Sequence, residues 1–293
     1  MKKRTQEILG DYLFSLYKTI RFNYHRWKEH KRYGHYEFPY RDEMSGKRAY
    51  VLANGPSLIN DIELLKNDDH FYESPKCVLN YFAETDTFQQ FKPDCYFLAD
   101  AAFFRTNLGD RHKKILRLIN DFTTWPMSLY IPFEGLKAVT PFISKKNIDI
   151  VPVSTLQFEG FEKYRYLYYK QGKAVPSFVN VTLMIEYVLL NLGCKDIWLC
   201  GVDHTFFNGM TVNDENIPCI VDKHFYGEEF RPLRRKDGYF TMAGWLMDKY
   251  LTFKEHENLR GYADFLGARI VNCTKNSWID AYVRLAQLEK EKA

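Results

Sequence analysis

The turn Asn54-Gly55-Pro56-Ser57 consists of residue types that can bind phosphate. An apolar segment, residues 48–53, leads directly into this turn, and a helix-like segment follows it. A loop between a parallel strand and a helix presents backbone N–H groups to an anion. Gly55 permits a close backbone approach, Pro56 fixes the exit of the loop, and Ser57 can cap the next helix. The same residue types are common in ordinary turns, so the turn alone leaves both interpretations open.

Three further apolar segments end in polar residues. They end at Asn80, at Asp100, and at Gly201 with Asp203. Because the carboxyl ends of parallel strands converge on one crevice, we expect these residues to line one binding site together with Asn54.

Alternating strand and helix patterns position these residues. We predict strands near residues 48–53, 77–80, 94–99, 127–131, 148–152, 196–200 and 268–272. We predict helices near residues 58–66, 108–120, 178–192, 241–264 and 278–290. Such alternation predicts an α/β fold, a Rossmann-like, mostly parallel sheet with helices on both faces.

The 293 residues allow one large α/β domain with additions or two small domains. We predict a basic amphipathic helical arm over residues 1–45, which ends in a linker, and an α/β domain over residues 46–293. Residues 206–240 have little apolar periodicity and many Gly, Asn, Pro and charged residues, which favours a lid-like loop. Within it, Arg231 and two further arginines could close on a phosphate, although charge runs are also common on solvated surfaces.

Composition favours a cytoplasmic protein with a large core. Hydrophobic residues make up 46% of the chain, and the six cysteines contain no C-x-x-C pair, as expected of reduced, buried thiols. We see no secretory signal and no apolar run long enough to span a bilayer.

The net charge of +4 is concentrated in the first 48 residues, which hold 12 Lys/Arg against 6 Asp/Glu. Apolar residues recur there at helical spacing, namely Leu9, Leu13, Leu16, Tyr17, Ile20, Tyr24 and Trp27. Such a helix could lie on the anionic inner face of the cytoplasmic membrane. The same stripe could instead pack on the globular body or on a second subunit, which we favour slightly. The remaining chain has no broad basic face, so we do not expect nucleic-acid binding.

These motifs, in this order, resemble the bacterial sialyltransferases of glycosyltransferase family 42. The shared features are the Asn-Gly-Pro-Ser turn, the strand end at Asn80, a helix opened by Ser177 that runs into Leu-Gly-Cys-Lys-Asp-Ile, and the strand end Gly201-Val-Asp203. The chain is also similar to the MptE-like proteins (domain of unknown function 115), which include flagellin-glycosylation accessory factors and an archaeal pterin diphosphokinase. The similarity extends over about residues 48–226, with a weaker match in residues 270–285.

The resemblance implies a GT-A-like variant of the Rossmann-like domain that binds CMP-sialic acid. It assigns the cytidine nucleotide to Asn54, Gly55 and Ser57 in the turn with Pro56, the donor pocket to Asn80 and Asp100, the donor carboxylate to Ser177, and the border of the nucleotide to Gly201 and Asp203. Ser177 could equally be a plain helix cap. The chain has no Asp-x-Asp pair, and family 42 enzymes work without a metal, so we expect neither a metal nor a cofactor.

The match departs from the family where the catalytic base is expected. The family uses the second histidine of a His-Tyr-x-Gly-His element, and this chain has His224-Phe-Tyr-Gly-Glu228. The base would be His224 in a displaced position or Glu228 in place of the lost histidine.

Two further positions differ from the family. The tyrosine that helps to neutralise the leaving phosphate is Thr205 here, so His204, Tyr226 or the arginines would substitute for it. Asp100 replaces a family asparagine and is closer to the MptE-like pattern.

Three functions remain open. The first is an inverting transferase that moves a CMP-activated acidic sugar, a nonulosonate or Kdo, onto a bacterial surface glycan or lipid-linked acceptor. The second is a pterin diphosphokinase in which ATP and Mg²⁺ engage Asp100 and Asp203. The third is a non-catalytic glycosylation accessory protein. The sequence leaves the acceptor, the exact sugar and a homo-oligomeric state undetermined.

Overall fold

The computed structural model describes residues 2–34, 42–105, 107–225, 227–235 and 238–292. The strands in these ranges are β1 (Arg48–Leu52), β2 (Lys76–Leu79), β3 (Cys95–Phe97), β4 (Met127–Pro132), β5 (Ile148–Val153), β6 (Asp196–Cys200), β7 (Met210–Val212), β8 (Pro218–His224), β9 (Gly227–Pro232), β10 (Arg234–Arg235), β11 (Gly238–Tyr239), β12 (Arg269–Asn272) and β13 (Val283–Arg284). The α-helices are α1 (Lys2–Tyr33), α2 (Leu58–Leu65), α3 (Asp69–Glu73), α4 (Asp86–Phe91), α5 (Asp110–Phe122), α6 (Leu136–Val139), α7 (Arg165–Lys170), α8 (Val181–Asn191), α9 (Met242–Leu266) and α10 (Leu285–Lys292).

Eight strands form one parallel sheet in the order β13-β12-β6-β1-β2-β3-β4-β5. This arrangement confirms the predicted α/β fold. All seven predicted strands form, because a strand that is covered on both faces is a continuous apolar segment.

Both faces of the sheet are buried. Within β1, Val51 belongs to the hydrophobic core on one face, and Tyr50 and Leu52 belong to the core on the other face. Buried residues of α8 and α9 cover the first face, and buried residues of α2 and α5 cover the second. Because the faces are closed in this way, a ligand can reach the sheet at the ends of its strands.

The strand order places a crevice at the carboxyl end of β1. The chain leaves β1 toward β2 on one side and returns on the other side as β6, so Tyr50 pairs with both Lys76 and Trp198. A reversal of this kind separates the loops that follow the two neighbouring strands. Ligands of open α/β sheets bind in the crevice that results.

Helix α1 packs on the body through a stripe that centres on Phe22. The Phe22 side chain is buried, and its ring centroid lies 5.1 Å from that of Phe158 and 5.6 Å from that of Tyr168. Two helical turns after Phe22, Glu29 of α1 accepts a hydrogen bond of 2.7 Å from the hydroxyl of Ser154. The arm is therefore attached to the α/β domain.

The apolar stripe predicted from the sequence lies on another face of α1 and is exposed. Its described side chains are Leu13, Leu16, Tyr17, Ile20, Tyr24 and Trp27. The expectation that this stripe packs on the body is therefore wrong, because Phe22 and its neighbours make that contact instead. No helix in the described ranges combines the length and apolar character that crossing a bilayer requires.

Residues 206–240 contain strands where we predicted a loop. Strands β7, β8 and β9 form an antiparallel sheet, and β10 pairs with β11. A small core of Ile220, Leu233 and Trp245 supports the three-stranded sheet, with Phe206 and Phe207 packed against it. These few apolar contacts stabilise strands that show little periodicity in sequence.

The helix predicted over residues 278–290 is also shorter than expected, because β13 precedes α10. The guanidinium of Arg284 donates to the carbonyls of Ser277 at 2.6 Å and Ile279 at 3.1 Å. Asn272 also donates to the Ile279 carbonyl, at 3.4 Å. These carbonyl groups accept hydrogen bonds from side chains and not from the amides of a helix, so the helix does not begin at residue 278.

Candidate functional site

A cleft of about 1260 Å³ lies at the carboxyl ends of β1, β2 and β6. The start of α8, the strands β8 and β9, and part of α9 complete its wall. Twelve of the residues proposed from the sequence line it: Asn54, Gly55, Pro56, Ser57, Asn80, Asp100, Gly201, Asp203, His204, His224, Glu228 and Arg231. Tyr226 lies outside the described residues. Ser177 is not among the lining residues.

The turn after β1 is packed tightly against the loop after β6. The amide of Gly55 donates to the carbonyl of Gly201 at 2.9 Å. A Cβ atom on Gly55 would lie 2.3 Å from that carbonyl oxygen and 2.0 Å from Oδ2 of Asp203. Gly201 itself has a φ of 67°, in the left-handed region that favours glycine. Both positions therefore require glycine for the two loops to meet.

Asp203 connects the two loops. Its carboxylate accepts a short hydrogen bond from the hydroxyl of Ser57 and a longer one, 3.4 Å, from the Ser57 amide. Ser57 therefore does not cap α2 through its side chain, contrary to the expectation from sequence. Its hydroxyl instead holds the turn after β1 against the loop after β6.

A buried carboxylate supports the loop after β6 from below. Oδ2 of Asp61 accepts from the amide of Gly201 at 2.7 Å and from the hydroxyl of Thr274 at 2.5 Å. Burial raises the pKa of Asp61, the hydrogen bonds from Thr274 and Gly201 oppose this rise, and the nearby charge of Asp203 adds to it. The contact holds the loop in position without using a group that faces the cleft.

Two amide side chains in the cleft have buried oxygen atoms without partners. Nδ2 of Asn54 donates to the carbonyl of Leu79 at 3.2 Å, and this bond fixes the orientation of the Asn54 amide group. Among the described residues, neither Oδ1 of Asn54 nor Oδ1 of Asn80 has a hydrogen-bond partner. A buried polar atom without a partner is costly. Both atoms are therefore suited to accept a hydrogen bond from a ligand.

The wall after β2 and β3 carries titratable groups. Asp100 is exposed, and its carboxylate accepts from the amide of Ala102 at 2.8 Å. The hydroxyl of Tyr81 lies 3.0 Å from Nε2 of His112. Burial lowers the pKa of His112, and burial raises the pKa of Tyr81 to about 12. Near neutral pH, the Tyr81 hydroxyl is therefore protonated and can donate.

The helix predicted to open at Ser177 begins at Val181 instead. Its cap is Asn180, whose side chain accepts from the amide of Thr182 at 2.9 Å, and both Asn180 and Thr182 line the cleft. The assignment of Ser177 to the helix N-terminus is therefore wrong. Asn and Ser are both frequent caps, and the apolar run that starts directly after Asn180 is the signal that favours it.

Lys249 is a cleft residue that the sequence patterns do not indicate. It lies on α9 with its side chain buried, and its ammonium is 4.1 Å from the ring centroid of Trp245 and 4.4 Å from that of Phe206. Asp248 pairs with it at 2.8 Å. A cation held between aromatic rings is fixed in position with little water around it. Together with Arg111 and Arg231, it gives the cleft three cationic side chains, beside the carboxylates of Asp100, Asp203, Glu228 and Glu229.

The hairpin β8-β9 is attached to the turn after β1, since the amide of Phe225 donates to the carbonyl of Asn54 at 3.3 Å. This contact brings His224 and Glu228 to the cleft. His204, the other histidine proposed from the sequence, is a buried residue of the cleft wall. Burial, then the neighbouring His256 and Lys249, lower its pKa well below the ordinary value.

No protein-family model matches the chain, and the similar proteins described next have low sequence identity to it. An F-box protein of Arabidopsis thaliana is 24% identical over 131 residues, which are 44% of this chain and 36% of that protein. The structure of the MAf glycosyltransferase from Magnetospirillum magneticum AMB-1 aligns with 86% of this chain and 36% of its own, at 14% identity and a TM-score of 0.49. The chain thus spans little more than a third of each protein, and neither match shows its family or its activity.

Proposed function

We propose that this chain is a glycosyltransferase that moves an acidic sugar from a CMP-activated donor to a bacterial surface glycan or lipid-linked acceptor. The transfer inverts the anomeric carbon and needs no metal ion. The observation that carries the proposal is the cleft at the strand ends, which combines two buried amide oxygens without partners and a set of cationic side chains.

The amide oxygens suit the nucleoside part of the donor. A cytosine amino group and ribose hydroxyls are hydrogen-bond donors, and Oδ1 of Asn54 and Oδ1 of Asn80 need donors. The glycine-containing turn allows the nucleotide to approach the backbone closely. A volume of about 1260 Å³ exceeds the roughly 300–1,000 Å³ of a typical small-molecule pocket. The cleft therefore has room for a nucleotide, its sugar and the end of an acceptor.

The cations suit the reacting part of the donor. A CMP-activated acidic sugar carries a phosphodiester and a carboxylate, and CMP gains a negative charge when it leaves. Arg231 and Arg111 can pair with these anions, and the desolvated ammonium of Lys249 stabilises developing charge more strongly than a solvated one.

The carboxylates required by the diphosphokinase alternative have other partners. Both oxygens of Asp203 accept hydrogen bonds from Ser57, and Oδ1 of Asp100 accepts from the amide of Ala102. A Mg²⁺ ion prefers free carboxylate oxygens and water in octahedral geometry. The donor set therefore favours the metal-independent transferase.

The exposed face of α1 suits an acceptor at a membrane. Ile20 is 62% exposed and Trp27 57% exposed, and the ammonium of Lys31 lies 5.4 Å from the Trp27 ring. Apolar residues flanked by Lys and Arg bind anionic lipid through both burial and charge. The arm would thus hold the cleft near lipid-linked acceptors on the inner face of the cytoplasmic membrane.

Binding and turnover of a defined donor test the proposal. Thermal shifts with CMP, CDP, UMP, UDP and ATP should show CMP as the strongest stabiliser, because at equal concentration the ligand that binds most tightly stabilises the folded state most. CMP-N-acetylneuraminate should then release CMP at the same rate with and without EDTA. Magnesium-dependent AMP formation from ATP would favour the diphosphokinase, and turnover of neither compound would favour the accessory protein.

A further inference from the structure

A column of hydrogen-bonded side chains leads from the cleft wall into the core. His204 lines the cleft, and its Nε2 lies 3.0 Å from Nε2 of His256 on α9. Nδ1 of His256 lies 3.0 Å from the hydroxyl of Tyr282 and 3.3 Å from Oε2 of Glu186 on α8. The side chains of His256 and Glu186 are completely buried. Charge at the inner end of this column is therefore shielded from water.

The hydrogen bonds indicate which ring nitrogens carry protons in the neutral state. The hydroxyl of Tyr282 donates to Oε2 of Glu186 at 2.5 Å, so its oxygen accepts from Nδ1–H of His256. Nε2 of His256 then has a lone pair and accepts from Nε2–H of His204. Nδ1 of His204 is left with the free lone pair that a general base requires.

The surroundings of His204 keep it in this state. It adopts a φ of 52°, a left-handed conformation that is uncommon outside glycine and is enriched at functional sites. Lys249 and His256 act on it from α9, and burial together with these two neighbours lowers its pKa. Its ring is therefore neutral near pH 7 and able to accept a proton.

We propose that His204 is the general base of the transfer and that His256 and Glu186 are positioning residues that take up the charge of the proton. This inference rests on the proposed function. The acceptor O–H gives its proton to Nδ1 of His204 while the acceptor oxygen bonds to the anomeric carbon. The bond from that carbon to the phosphate oxygen breaks, and its electron pair leaves with CMP. The Nε2 proton of His204 passes to Nε2 of His256, and the positive charge comes to lie beside Glu186.

The unpartnered oxygen of Glu186 supports a charge-compensating role. Its Oε1 is buried and has no hydrogen-bond partner among the described residues. A buried carboxylate with an open acceptor is unfavourable in a purely structural network. An imidazolium at His256 supplies the missing counter-charge. Glu228, by contrast, is exposed on β9, where water can solvate its carboxylate.

Turnover of CMP-N-acetylneuraminate with water as acceptor tests the base. His204→Gln should lower the rate of CMP release by about 10²–10⁴-fold and leave the affinity for CMP, measured by calorimetry, unchanged. His70→Gln, an exposed histidine on α3, is the matched control and should behave as wild type. Retained turnover in His204→Gln, with loss in His224→Ala or Glu228→Gln, would move the base to the hairpin and overturn the inference.

The pH profile of turnover tests the positioning residues. In the proposed transfer the positive charge comes to lie beside the carboxylate of Glu186, so Glu186→Gln should shift the acid limb of the profile to lower pH and reduce the plateau rate. Glu186→Asp should partly restore both. A residue that only stabilises the fold would lower the rate without moving the acid limb. An unmoved acid limb would therefore refute the proposed proton transfer from His204 to His256.

Nitrogen NMR of the wild-type histidine rings separates failure of this inference from failure of the proposed function. We expect a proton on Nε2 and a lone pair on Nδ1 of His204, and a proton on Nδ1 of His256. The opposite tautomers in the wild type would refute the proposed proton transfer from His204 to His256, whether or not the variants fold. If the wild type releases no CMP, the proposed function fails, and the assignment of His204 as its base fails with it.

Discussion

Gly55→Ala should destabilise the protein through a single methyl group. The added Cβ would lie 2.0 Å from Oδ2 of Asp203 and 2.3 Å from the carbonyl oxygen of Gly201. Asp203 cannot move away freely, because Ser57 bonds to it. Overpacking costs about 1–3 kcal/mol, and loss of a hydrogen bond to a charged group adds about 1.5–3 kcal/mol. We therefore expect the free energy of unfolding to fall by about 2.5–6 kcal/mol.

Thermal and urea denaturation measure this change. The expected loss corresponds to a drop of about 4–10 °C in the unfolding midpoint for a chain of this size. Gly10→Ala is the matched control, since its Cβ would meet nothing within 4 Å on α1. It should raise stability by at most about 1 kcal/mol. A Gly55→Ala protein that unfolds at the wild-type midpoint would show that the two loops are not packed as described.

Three further predictions concern the cleft and the arm. Asn54→Ala and Asn80→Ala should each weaken CMP binding about 10-fold in calorimetry, the value of one hydrogen bond, and unchanged affinity in both would exclude this cleft. Ile20→Glu should reduce co-sedimentation with phosphatidylserine vesicles, whereas the equally exposed Leu64→Glu should not, and equal sedimentation would refute the membrane contact. Because the pKa of His204 is lowered in the folded state, the unfolded state takes up its proton first, and stability should fall below about pH 6.5 by up to about 1.4 kcal/mol per pH unit. Urea titrations at two pH values give the change of the unfolding free energy with pH. This change should be smaller in His204→Asn than in the wild type, and an equal change would contradict this reasoning.

The strand ends of the cleft could be predicted because their signal is local. A buried parallel strand is apolar until its carboxyl end, so Asn54 and Asn80 are the first polar residues after such runs. Lys249 and His256 show no comparable signal, since only the path of α9 brings Lys249 to the cleft and His256 to His204 behind it. Prediction of such residues requires the tertiary arrangement.

Two other differences have local causes. Ser177 and Asn180 are both cap-type residues, and the choice depends on which side chain reaches an amide two residues later, as Asn180 does. In α1, two apolar stripes compete, and the single buried ring of Phe22 outweighs a longer stripe because it meets a matching aromatic pocket. Periodicity measures the number of apolar residues and not the fit of one ring.

The central position of β1 constrains how the chain can fold during synthesis. Its first partner, β2, follows closely, but its second partner is far away, since Arg48 pairs with Asp196 across 148 residues. Until β6 has emerged from the ribosome, β1 has one open edge in the middle of the future sheet. Open apolar edges recruit strands from other chains, and pairing over such a distance is slow. Any fragment that stops before β6 would keep this edge and lack one whole side of the cleft, so binding competence and protection from aggregation arise in the same late step.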